Sequence, residues 1–66
     1  MTIRNRLIKR LKALIRARHT TAEKLAYESG ISKGNLSDIL RGKRSPTVRT
    51  LEKIAKNLGV DIRELF

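Results

Sequence analysis

Apolar residues recur at Ile3, Leu7, Leu11 and Leu14, with Arg18 continuing the spacing and Ile8 and Ile15 flanking it. Steps of three and four place them on one face of an α-helix and the intervening bases on the other. The pattern predicts a first helix over about 3–18. Thr20-Thr21-Ala22-Glu23 then reads as a capping box, in which a threonine hydroxyl and a glutamate reciprocally satisfy free N–H groups at a helix start. A second helix follows over about 22–29, with Leu25 and Ala26 inward, and Ser29-Gly30 breaks it. Ile31 is an anchor, and Ser32 is the N-cap of a third helix, about 32–41, that carries Leu36, Ile39 and Leu40 and stops at Gly42. After Lys43-Arg44-Ser45-Pro46, Thr47 caps a fourth helix, 47–58, whose inward stripe is Val48, Leu51, Ile54, Ala55 and Leu58. Gly59 ends it, and Asp61-Ile62-Arg63-Glu64 is a further capping box that opens a fifth helix, 61–66, bearing Leu65 and Phe66. No stretch alternates with period two, so no strand is expected. The expected class is all-α: five helices with short glycine-marked turns in a single domain over 1–66.

Composition narrows the function. The 66 residues hold 16 Lys plus Arg against 6 Asp plus Glu, a formal charge of +10. Such a chain favours polyanions: nucleic acid, anionic lipid or an acidic protein. The excess is uneven, because Arg4, Arg6, Lys9, Arg10, Lys12, Arg16 and Arg18 precede the first acid, Glu23. A second basic cluster lies at Arg41, Lys43 and Arg44. With no Cys and one His there is neither a disulfide framework nor a metal site to expect. Nor is there a nucleophile–base pair or a phosphate-cradling glycine loop, and a chain this short spends its core side chains on holding itself together. No enzyme, cofactor or membrane span is therefore expected. His19 reads as a surface residue closing the first helix.

The span with most information runs from Thr21 to Phe66. A short helix, the corner Ser29-Gly30-Ile31 and a second short helix starting at Ser32 make a helix-turn-helix. Ala26 is small enough for the two helices to approach closely. Ile31 and Leu36 bury the inner face of the second one, which leaves Lys33, Gly34, Asn35, Ser37 and Asp38 to project outward.

The segment AEKLAYESGISKGNLSDILRGKRSPTVRTLEKIAKNLGVDIRELF resembles the lambda-repressor-like helix-turn-helix proteins, also called the Cro and xenobiotic-response-element type. The resemblance implies a five-helix domain whose third helix enters the major groove of double-stranded DNA. It places base readout on Lys33, Gly34, Asn35, Ser37 and Asp38, and phosphate contact on Thr21, Ala22, Ser32, Arg41, Lys43 and Arg44. Lys33 can donate to guanine O6 or N7, Asn35 can pair with adenine, and Asp38 can accept from cytosine N4. Asp38 can equally pair with Arg41 three residues on. Two departures stand out: the family commonly has Gln where this chain has Ala22, and its first helix usually carries acids.

The resemblance further implies a transcriptional regulator, expected to be a repressor. It would bind an inverted-repeat operator as a homodimer, at least on DNA, in the cytoplasm at the nucleoid of a bacterium or in a phage-infected cell. Two other readings remain open. The acid-free first helix also reads as a membrane-surface helix or transit peptide. The whole chain also reads as a protein-interaction module with a non-reading helix-turn-helix. Ile62, Leu65 and Phe66 are either core or a dimer patch.

Overall fold

The computed structural model describes residues 2–66, and each helix in it begins the same way. A hydroxyl one residue before the helix accepts from the N–H three positions on: Thr2 from Asn5, Thr21 from Lys24, Ser32 from Asn35 and Thr47 from Thr50. These caps open α1 (Ile3–Ala17), α2 (Ala22–Ser29), α3 (Lys33–Leu40) and α4 (Val48–Leu58). Each such cap stabilises its helix by about 1 kcal/mol.

The expected capping box at Thr20 is not formed. Thr21 is the cap, Lys24 takes the third helical position, and Glu23 is left free to point elsewhere. The second expected box is present: the Asp61 carboxylate accepts from Arg63 N at 2.8 Å, while Glu64 accepts from Asp61 N at 3.0 Å. It opens a single 3-10 turn, Ile62–Leu65, so the described residues form four α-helices and not five. Four residues close no α-helical repeat, and the tighter turn is enough to bury Leu65. The Arg63 guanidinium also bonds the Asp61 carboxylate, and with the Arg63 backbone bond and charge it holds that carboxyl below its ordinary pKa. This contribution to folding is present above the unfolded value and lost as pH falls through the lowered one.

The helices close on one apolar cluster of Leu7, Leu11, Leu25, Ala26, Leu36, Ile39, Leu51, Ile54, Ala55, Leu58 and Leu65. Leu14, Ile15, Ile31 and Ile62 pack on it half-buried. Because α1 supplies Leu7 and Leu11, its apolar stripe is committed to this core and is not free to lie on a membrane surface. No helix among the described residues is long and apolar enough to cross a membrane. Two stripe positions depart from the periodicity: Ile3 and Val48 are 70% and 65% exposed. Both sit in the first turn of their helices, where the spacing continues but nothing packs against it.

The joints are local. Gly30 takes φ +74 at the α2–α3 corner, and its N–H with that of Ile31 closes on the Ala26 carbonyl. At the end of α1 the same left-handed position is filled by His19 at φ +53, with Thr20 N bonded to Ile15 O. A Cβ is strained there by about 1–2 kcal/mol. His19→Gly is therefore expected to raise the melting midpoint by a few degrees, less than the full strain because glycine also loosens the unfolded chain. A lowered midpoint in a thermal melt would show that the imidazole holds the corner in some other way.

Candidate nucleic-acid interface

The helix-turn-helix is formed by α2 and α3, which pack on each other across Ala26, only 1% exposed. With Leu36 and Ile39 buried, α3 has one free face, and its eight residues do not share it equally. Lys33 and Gly34 stand exposed at its start. Ser37 is half-buried. Asp38 is half-buried as well, and its Oδ1 accepts from Arg41 Nη2 at 3.2 Å, the pairing three residues on that the sequence allows.

Asn35 does not project outward as expected. It is half-buried, and its Oδ1 is covered without a hydrogen-bond partner. The reason is angular: Asn35 lies about 100° from Leu36 around the helix, at the margin of the buried stripe. Pairing with adenine uses both amide atoms, so this side chain must rotate out before it can read a base.

Past α3 the loop holds Arg41, Lys43 and Arg44, all three exposed. It turns at Gly42, and Lys43 N bonds Asp38 O at 2.8 Å. Arg4 fixes the loop from outside, donating to Gly42 O at 3.3 Å and Ser45 Oγ at 3.2 Å. The Thr21 and Ser32 hydroxyls already accept within the chain, so each helix start offers outward mainly the free N–H groups of its first turn. Ala22, half-buried against the core, adds no polar side-chain atom.

Two residues that the sequence did not place on this surface belong to it. Arg4 is one. The other is Glu23, whose Oε2 lies 3.2 Å from Lys33 Nζ across the two helices. Neither pairing has a periodic signature, because the partners lie 38 to 41 positions apart in the first case and in different helices in the second. Lys33, Arg41 and Arg63 are the bases in ion pairs among the described residues, which leaves Lys43 and Arg44 unpaired. No cluster of three metal-ligating side chains occurs among the described residues.

Known proteins share this fold. The HTH_3 family model, described as helix-turn-helix, matches residues 11–65, and the chain belongs to that family. It is 44% identical over 44 residues to the control protein C.BamHI of Bacillus amyloliquefaciens, a stretch covering 67% of this chain and 54% of that protein. It is 36% identical over 53 residues to the immunity repressor protein of Bacillus phage phi105, covering 80% of this chain but 37% of that one. The chain thus spans about half, or less, of the length of these two relatives. The crystal structure of the restriction-modification controller protein C.AhdI from Aeromonas hydrophila superposes with a TM-score of 0.88 at 31% identity, over 92% of each chain. The chain is accordingly a DNA-binding protein of the transcriptional-regulator class.

Proposed function

We propose that the chain is a sequence-specific repressor that occupies an operator in double-stranded DNA and is not an enzyme. The observation that carries this reading is the exposed start of α3, with Lys33 and Gly34 leading, beside the unpaired bases Lys43 and Arg44. In this reading α3 lies in the major groove. Lys33 donates to a base edge, and Gly34 allows close approach of the backbone. Ser37, Asp38 and a rotated Asn35 follow along the groove. Lys43, Arg44 and Arg41 grip phosphates, joined by the helix starts at Thr21, Ala22 and Ser32. The 1–66 stretch acts as one DNA-binding domain in the bacterial or phage-infected cell.

We further propose a homodimer on DNA. Ile3, Val48 and Phe66, 70%, 65% and 48% exposed, line an open groove of about 290 Å³ with Leu7, Pro46 and Leu51. Adjacent exposed side chains of this size mark a surface that another protein covers. A two-fold dimer would present its α3 helices one DNA turn apart, about 34 Å.

Sequencing the bound fraction of a duplex pool with randomised centres, at physiological salt, tests the reading. An enriched inverted repeat is expected. A lone half-site would remove the dimer, and no enrichment, with binding that vanishes as salt rises, would remove sequence reading altogether.

Gly34→Ala separates the roles of that glycine. A Cβ built there meets nothing within 4 Å, so the fold has room for it. Alanine is expected to stabilise the chain by less than the roughly 0.5–1 kcal/mol of a helix interior, because Gly34 lies in the first turn of α3. If the DNA backbone or a base lies against Gly34, affinity for the selected operator falls at the same time. Unchanged affinity in a titration would deny the close approach.

A further inference from the structure

Glu23, at the second position of α2, and Lys33, at the first position of α3, are brought together by the corner at Gly30. Glu23 Oε2 and Lys33 Nζ are 3.2 Å apart, and both side chains are 72% exposed. They line one rim of an open groove with Thr21, Lys24, Tyr27 and Ile31. An ion pair this wet contributes little to folding. Its consequence lies in what it does to the lysine.

We propose that Glu23 is a positioning residue for base reading, holding the Lys33 ammonium at the start of α3 and away from phosphates. The proposal rests on Lys33 being a base reader, as inferred above. A lysine is a compact charge on a flexible four-carbon stem, so an unrestrained Lys33 would go to any phosphate within reach. Phosphate contacts carry no sequence information. The carboxylate opposes that in two ways: it narrows the rotamers Lys33 visits, and its own charge repels phosphate oxygens. The donor count also fits. An ammonium has three N–H groups, and with one given to Glu23, two remain for guanine O6 and N7. Ala22, the neighbouring residue at the start of α2, has no polar side-chain atom for this role. Asp38, the acid on α3 itself, is engaged by Arg41.

The test uses the full chain and the same randomised duplex pool, with Glu23→Gln, Glu23→Asp, Lys33→Ala and the double variant Glu23→Gln/Lys33→Ala. Lys33→Ala first identifies the base pair whose preference it relaxes. Glu23→Gln is expected to weaken the preference at that same pair about two- to fivefold, the range open to a surface ion pair. It is also expected to tighten binding to non-cognate duplexes, with a steeper salt dependence as the freed ammonium finds a phosphate. Glu23→Asp keeps the charge at the helix start but withdraws the carboxylate, and is expected to lose the preference likewise. In the Lys33→Ala background Glu23→Gln is expected to leave base preference unchanged. A purely structural role would instead lower the melting midpoint and affect all duplexes alike, and that result overturns the proposal. So does an unchanged preference in Glu23→Gln when Lys33→Ala shifts it, with Lys33 keeping its role. If Lys33→Ala relaxes no base pair, the base-reading role of Lys33 falls, and that of Glu23 with it.

Discussion

Leu11→Ala is expected to leave the chain largely unfolded at 37 °C. Leu11 is fully buried, in α1, where with Leu7 it enters the cluster that α2, α3 and α4 complete. Truncating such a leucine removes about 2–5 kcal/mol, the transfer free energy of the lost methyl groups plus the cavity they leave. A domain of this length has a total stability of only about 3–10 kcal/mol. The loss is therefore comparable to the whole, and no disulfide offsets it in a chain without cysteine. Far-ultraviolet circular dichroism during a thermal melt measures the effect. A variant that melted within about 5 °C of the parent, against the 4–8 °C per kcal/mol usual at this size, would show that α1 stands outside the cooperative core. The free amphipathic-helix reading of α1 would then return. Loss of DNA binding should accompany unfolding, since the α2–α3 corner rests on the same cluster.

Lys33→Ala has the largest effect expected on recognition. The exposed side chain can be removed without touching the core, so the melting midpoint should hold. Binding to the selected operator should weaken by about 1–3 kcal/mol, with the loss concentrated at one base pair. Arg44→Ala provides the contrast. Arg44 is exposed in the loop past α3 and makes no ion pair among the described residues, so in a phosphate-gripping role it should weaken all duplexes alike. The salt slope should then flatten by about 0.9 per contact removed. Competitive titrations against single-base operator variants at two salt concentrations separate these behaviours. Equal losses on every duplex from both substitutions would refute the division into a reading helix and a gripping loop.

Much of this is legible in the chain because the controlling interactions are short-range. Ser32, Thr47 and the Asp61–Glu64 box are readable as helix starts, since a cap and its N–H partner lie within three residues. The corner at Gly30 is readable because a left-handed position next to a helix end favours glycine. The errors are equally local in origin. Thr20 and Thr21 compete for one cap, and the glutamate spacing points to Thr20, whereas the second threonine wins and releases Glu23 to Lys33. Periodicity continues the stripes of α1 and α4 into first turns where Ile3 and Val48 meet solvent. The capping box of the last segment predicts a helix, and the box is there, but the turn it opens is 3-10.

The sequence by itself determined the all-α class, the helix starts at Ser32 and Thr47, most of the core leucines and isoleucines, and the basic charge that favours a polyanion. Each of these depends on side-chain type and on separations of a few residues. Only the tertiary structure decided which polar groups are free to act. It covered the Asn35 oxygen, tied Arg4 to the loop after α3, and set Glu23 against Lys33. It also left Ile3, Val48 and Phe66 together at the surface, from three separate parts of the chain. Such pairings are made by helices meeting at angles that packing fixes, and no spacing along the chain encodes them.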